Sequence, residues 1–240
     1  MLENIRIILV ETSHSGNIGS AARAMKTMGL SQLYLVSPKA VDEQAFALAA
    51  GAEDIVRDAT IVANLDQAIA DCSLVIGTSA RLRHLQSSLI EPRECGVKAL
   101  QHSAMGTVAI VFGRERVGLT NDELLKCQYH LTIPANPEYS SLNLAMAVQL
   151  ICYEVRMAWL AAQQSSTEFS ITQIDNPFPS ASELEYFFSH TEKLYQQLGF
   201  IQNQAVMQKL RRLYQRAALE KNELNILLGM LSAVEKSLKS

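Results

Sequence analysis

Residues 5–29 read IRIILVETSHSGNIGSAARAMKTMG: an apolar β-branched run, a polar turn, then a helical stretch closed by Gly29. The run predicts a strand, and the alanine-rich segment predicts a helix that opens within the turn. A strand that passes through a glycine-bearing turn into a helix superficially matches a dinucleotide-binding motif. That motif needs glycines at i and i+2, whereas Gly16 and Gly19 stand three apart. The next strand candidate, LYLV, ends in Ser37 and Pro38 with no acid for a ribose. What the turn does offer is backbone amides at a helix amino terminus, suited to an anion such as a phosphate. Arg23 falls about one and a half turns into the helix, close enough to reach a group held at its mouth. The plainer alternative makes Asn17 a helix cap and Arg23 a solvated surface residue.

Four further runs repeat the pattern: LYLV, LVIG, VAIVF and HLTI, separated by helical segments up to about residue 162. Such alternation predicts βαβ units around a parallel sheet, and the nearly continuous apolarity of the runs predicts helices on both faces. The composition then shifts. QQSSTEFSITQIDNPFPSAS, from Gln163 onward, is polar, carries two prolines and lacks periodicity, as a linker does. Beyond it, Ser182 and Glu185 have the spacing of a capping box, and three amphipathic helices follow. These features predict an α/β domain over 1–162, a linker over 163–181 and a helical extension over 182–240.

Composition bounds the function without naming it. Hydrophobic residues at 48% and charged residues at 19% describe an ordinary globular protein and exclude a disordered one. The net charge of −3 places any basic patch locally. Cys72, Cys95, Cys127 and Cys152 form no CxxC pair, which predicts reduced, mostly buried thiols rather than a zinc or disulfide framework. His14, His84, His102, His130 and His190 show no ligand spacing, so no metal is expected. The opening apolar run is too brief for a secretory signal, and Gln149, Glu154 and Arg156 interrupt the longest apolar segment, so the expectation is a cytoplasmic protein with no membrane span.

Three further segments concentrate polar chemistry. VFGRERVGLTNDELLKC runs from a buried strand through Gly113 straight into Arg114, Glu115 and Arg116, at the carboxyl end where open α/β sheets bind ligands. LTIPANPEYSSLNLAMAVQLICYE joins the last strand to a long helix through the cluster Tyr139-Ser140-Ser141-Leu142-Asn143; helix initiation explains one of those residues, not all. Gly77-Thr78-Ser79-Ala80-Arg81 follows the third predicted strand with small side chains and free amides. A solvated loop with an ion pair, or a cap with an irregular loop, is the ordinary alternative at each.

Taken together, the segments resemble the SPOUT superfamily of RNA methyltransferases, in the TrmH/SpoU branch of ribose 2'-O-methyltransferases. The resemblance rests on three motifs in order: Asn17 with Arg23, Gly113-Arg114-Glu115, and Ser141-Leu142-Asn143. It covers residues 1 to about 162. ETSHSGNIGSAARAMKTMG, GTSAR, FGRERVGLTN and NPEYSSLNLAMAVQ, with the helical tail, are similar within that branch to enzymes that methylate cytidine or uridine at position 32 of the tRNA anticodon loop. The chain departs from the wider branch at Ala135, where methionine often stands, and at Ala145, where serine does.

The resemblance implies an α/β parallel-sheet fold with a carboxyl-terminal trefoil knot, which connection rules alone would reject. It implies S-adenosylmethionine as donor, leaving S-adenosylhomocysteine, bound by Thr78, Ser79, Ala80, Gly113, Ile133, Ser140, Ser141 and Leu142. It also implies a homodimer through the helix near Leu144 to Trp159. Catalysis would draw on Arg23, Asn17, Glu115, Ser141 and Asn143. A guanidinium with a pKa above about 12 is a poor base, so Arg23 is expected to bind phosphate and ribose, with the proton lost to water or to Glu115. Arg81 and Arg114 are expected RNA contacts. In the tail, Lys209, Arg211, Arg212 and Arg216 supply local positive charge for tRNA, and Lys209, Arg212 and Arg216 share one helix face. Methylation of another tRNA or rRNA nucleotide, a noncatalytic RNA-binding protein of the same fold, and a nicotinamide-dependent oxidoreductase are the alternatives. The missing glycine spacing weighs against the last.

Overall fold

The computed structural model describes residues 1–79, 88–164 and 178–239. The first strand, β1 (Ile5–Val10), is buried throughout and leads into α1 (Ser15–Met28), which Gly29 closes in the left-handed conformation at φ 83°. Then follow β2 (Gln32–Val36), α2 (Glu43–Ala49), α3 (Glu53–Arg57), β3 (Thr60–Val62), α4 (Leu65–Ile69), β4 (Cys72–Thr78), β5 (Ser88–Ile90), α5 (Pro92–Ser103), β6 (Thr107–Phe112), α6 (Asn121–Leu124), β7 (Tyr129–Leu131) and α7 (Leu144–Gln164). The extension contributes α8 (Ala181–Gln197), α9 (Gln204–Ala217) and α10 (Lys221–Lys239).

The seven strands form one sheet in the order β3-β2-β1-β6-β4-β7-β5, and every pairing is parallel. Five strands are as the apolar runs predict. The other two, β3 and β5, are short strands at the sheet's edges and mostly exposed, so burial does not demand an apolar run of them. Alternate strand residues face two cores, as burial on both faces requires. Ile7, Leu9, Ile110 and Phe112 pack beneath α1, α5 and α7, whereas Ile8, Val10, Ala109 and Val111 pack with Leu65, Ala68 and Leu124 on the opposite face. At Gly19 a Cβ would lie 1.9 Å from the Ala45 carbonyl oxygen, so glycine is what lets α1 lie against α2.

Two local expectations are corrected. The stretch 163–181 is not all linker: α7 continues to Gln164 and α8 begins at Ala181, while residues 165–177 lie outside the described residues. The capping box is Ser180 with Glu183, two positions earlier than predicted. Ser182 instead donates its backbone N–H to the Ala70 carbonyl, and Glu185 holds Arg211. All four cysteines are free and buried, and burial pushes the thiols of Cys72, Cys95 and Cys127 up to about 12. Helix α7 is long and apolar enough by length and composition to cross a membrane, but its Val148, Ile151, Cys152 and Val155 are fully buried in the core.

Candidate active site

The ends of β4, β6 and β7 open on a cavity of about 250 Å³. Thr78, Ser79, Gly113, Ile133, Ser140, Ser141 and Leu142 all line it, together with Phe112, Leu131, Leu144 and Ala147. Three segments far apart in sequence therefore meet at the carboxyl end of the sheet. Ala80 and Arg81 lie outside the described residues. Aliphatic and aromatic walls with hydroxyls at the rim suit a flat, mostly apolar group with polar edges.

The loop after β6 is the cavity's most constrained wall. Gly118 donates its N–H to the Arg114 carbonyl at 2.9 Å, and a Cβ on Gly113 would come within 2.2 Å of Gly118 and Leu119 backbone atoms. No other residue fits at 113. Thr120 then caps α6 in a capping box with Glu123.

Arg114 is not free for a phosphate, a correction to the expectation for it. Its guanidinium pairs with Glu11 and, at 2.9 and 3.1 Å, with both carboxylate oxygens of Glu123. Those two partners raise its pKa further above the ordinary arginine value. The outward-facing cation is its neighbour Arg116, which is exposed, lines the cavity and has no bonded partner among the described residues. The run Arg114-Glu115-Arg116 advertised a charged loop, but consecutive side chains diverge, and the sequence does not tell which one faces outward.

Glu115 occupies the anion position at the amino terminus of α1 that was expected to receive a phosphate. Its carboxylate accepts the N–H of Ser13 at 3.1 Å and of His14 at 3.2 Å, the Ser13 hydroxyl at 3.0 Å and the Asn17 side-chain amide at 3.1 Å. Burial alone would raise its pKa; its own backbone N–H, those of Ser13 and His14 and the Asn17 amide outweigh this and hold it at about 2. A carboxylate held that low is a weak proton acceptor near neutrality.

Asn17 is no cap, because His14 holds that position. Its amide donates to Glu115 and its carbonyl oxygen accepts the Asn143 amide at 3.0 Å. Asn143 in turn accepts the N–H of Ala145 at 2.9 Å, fixing the start of α7. Asn17, Glu115 and Asn143 thus form one hydrogen-bonded chain beside the cavity. Arg23 is not part of it. It lies about 9 Å further along α1, exposed, outside the cavity lining and with no bonded partner among the described residues.

In the extension, Arg211 is also internally employed. It makes a bidentate pair with Glu185 at 2.6 and 2.7 Å and stacks over Phe188, tying α9 to α8. Lys209, Arg212 and Arg216 line one cavity together, on the shared face the spacing predicts. Among the described residues no group of three or more His, Cys, Asp or Glu is placed to hold a metal ion.

Residues 4–153 match the model of the SpoU rRNA Methylase family, and residues 182–240 match that of the tRNA methyltransferase TrmJ, C-terminal domain. The chain belongs to the SpoU rRNA methylase family. It is 70% identical over 236 residues to an uncharacterized tRNA/rRNA methyltransferase of Haemophilus influenzae, covering 98% of this chain and 96% of that one. It is 59% identical over 243 residues to the tRNA (cytidine/uridine-2'-O-)-methyltransferase TrmJ of Sodalis glossinidius, covering 100% and 94%. The crystal structure of TrmJ from Z. mobilis superposes with a TM-score of 0.83 at 31% identity, covering 96% and 98%. This SpoU family member is therefore a methyltransferase, and its parallel α/β sheet is the family's fold.

Proposed function

We propose that the chain transfers a methyl group from S-adenosylmethionine to the ribose 2'-hydroxyl of cytidine or uridine at nucleotide 32 of the tRNA anticodon loop, as a cytoplasmic homodimer whose 1–162 domain ends in a trefoil knot. The observation that carries this reading is the convergence of Thr78, Ser79, Gly113, Ile133, Ser140, Ser141 and Leu142 on one cavity beside the Glu115–Asn17–Asn143 chain. The family membership and the relatives named TrmJ support the substrate class.

The bound donor supplies an activated methyl on a sulfonium, so the protein's main task is alignment. Thr78, Ser79, Ser140 and Ser141 offer hydroxyls and backbone groups to the donor's polar edges, and Ile133, Leu142 and Leu144 its apolar contact. Asn17, Glu115 and Asn143 act through one another as positioning residues that hold α1 against the start of α7. Arg23, exposed, outside the cavity lining and with no bonded partner among the described residues, is left to bind the phosphate and ribose of the target nucleotide. With Glu115 fully used as an acceptor, the proton goes to water. The 182–240 extension carries the tRNA-binding face of Lys209, Arg212 and Arg216.

The dimer reading is supported by α7. Met146, Leu150, Tyr153 and Met157 recur at spacings of four, three and four, and all are exposed on the side facing away from the core. Methyl transfer from labelled S-adenosylmethionine to bulk tRNA, followed by nucleoside mapping, tests the assignment. Label in 2'-O-methylcytidine or 2'-O-methyluridine at position 32 is expected, and label on a base or at another position overturns it.

A further inference from the structure

Several cavities lie between the extension and the amino-terminal end of the sheet, opposite the end that bears the active-site cavity, and the two larger ones adjoin. One, of about 490 Å³, is walled by Ile69 and Ala70 ahead of β4 and by Leu184, Tyr186 and Phe188 of α8. The other, of about 270 Å³, is walled by Lys209, Arg212 and Arg216 of α9, with Ser88 at the start of β5. Gln128 and Gln215 line both, so the two are lobes of one surface. The Gln215 side-chain amide donates to the Leu125 carbonyl at 2.7 Å and holds α9 against the α/β domain there.

The lobes differ sharply in charge. In the larger one Asp66 pairs with Lys126 and Glu185 with Arg211, which leaves an apolar, neutralised cleft. The smaller has no acid among its lining residues and carries Lys209 and Arg216 beside Arg212, which is engaged in a contact of its own. The shared wall supplies hydrogen-bonding groups of both kinds. The Gln128 side-chain oxygen is used by the Val75 N–H and the Gln215 amide by Leu125, while the opposite ends of the two carboxamides, a donor and an acceptor, make no hydrogen bond among the described residues. Tyr186 stands at the cleft with 63% of its surface exposed, an aromatic face available for stacking.

An anion site joined to an apolar cleft with an aromatic face and an amide edge matches a nucleotide, phosphate on one side and base on the other. We propose that these lobes hold one nucleotide of the tRNA remote from the reacting ribose, its phosphate against Lys209 and Arg216 and its base against Tyr186. The inference rests on the tRNA reading above and adds a second, separate grip. The seven residues of β4 place it about 23 Å from the active-site cavity, so the RNA spans the sheet from end to end.

Binding of bulk tRNA to the full-length chain, measured across a salt series, tests this, with calorimetry against S-adenosylhomocysteine and thermal melting as controls on fold. K209Q/R216Q is expected to weaken tRNA binding and to flatten its salt dependence by about 1.4, at roughly 0.7 per lost single-strand phosphate contact. Y186A is expected to weaken binding about fivefold or more with the salt slope unchanged, the signature of lost stacking rather than lost charge. Y186F, which keeps the ring, is expected to bind as the parent does. Cofactor affinity stays the same in all three. If the parent binds and methylates tRNA while Y186A binds equally well, the nucleotide site is wrong and the active-site assignment stands. If the parent itself neither binds nor methylates tRNA, the reading beneath falls with it.

Discussion

The side-chain amide of Asn143 donates to the side-chain oxygen of Asn17 at 3.0 Å across 126 residues of sequence. Because Asn143 also accepts the Ala145 N–H, it fixes the start of α7 and links it to α1 at once. Asn143→Ala is expected to lose about 1 kcal/mol of stability, the usual cost of a lost helix cap, and most of the methyl transfer. Asn143→Asp keeps the cap acceptor but sets a carboxylate against the Asn17 oxygen. It is expected to melt close to the parent temperature and still to lose activity. Melting curves paired with transfer assays check both, and an Asn143→Asp variant of full activity removes the link from the mechanism.

The Glu115 carboxylate sits at about 2 in the folded chain, below its ordinary 4.5. A group depressed on folding contributes stability that is present above its unfolded pKa and lost as pH falls toward the folded one. Urea midpoints of the parent are therefore expected to decline from about pH 5 down to about pH 2. Glu115→Gln should be less stable at neutral pH and flatter across that window, since an amide cannot accept the same set of N–H donors. Through neutral and mildly alkaline pH the parent's rate profile should carry no inflection from Glu115, which is ionised throughout. A rate limb that disappears only in Glu115→Gln would restore the carboxylate as the base.

Arg114 and Arg116 stand two residues apart with opposite employment. Arg114→Gln frees Glu11 and Glu123 from their shared cation and is expected to lower the melting temperature, with the salt slope of tRNA binding intact. Arg116→Gln removes an exposed cation at the cavity rim and is expected to leave stability within about 0.5 kcal/mol. Its salt slope should fall by about 0.7 to 0.9, one phosphate contact. The same two melting and binding series decide it, and reversal of the two patterns would return the RNA contact to Arg114.

Much of this was legible in sequence, and the limits have physical causes. The apolar runs located β1, β2, β4, β6 and β7 because strands buried on both faces have almost no polar residues to interrupt them. Edge strands β3 and β5 are mostly exposed, so no apolar run marks them. The polar clusters lie on loops that converge on one cavity, as follows from a parallel sheet delivering its strand ends to one side. Which side chain in each cluster turns inward did not follow. Glu115 looked like a reactive acid and proves to be the ligand of α1's own amides; Arg114 and Arg211 looked available and are held by carboxylates from elsewhere in the chain. Such pairings depend on contacts of up to 103 residues' separation, which no local pattern encodes.

The exposed stripe on α7 yields a prediction separable from the active site. Leu150 and Met157 lie on it at 42% and 41% exposure, while the buried side of the same helix packs on α1 and α5. If two copies meet along that stripe, a charge placed at its centre must be desolvated without a partner, which burial in an apolar interface penalises heavily. Leu150→Arg is expected to weaken self-association at least about tenfold while leaving the monomer's melting temperature nearly unchanged, because the substituted side chain already faces solvent. Sedimentation velocity over a concentration series reads the effect directly. Ile151→Arg, aimed into the core at the adjacent position, should instead unfold the chain. If the parent and the Leu150→Arg chain both sediment as dimers, the stripe is not the interface.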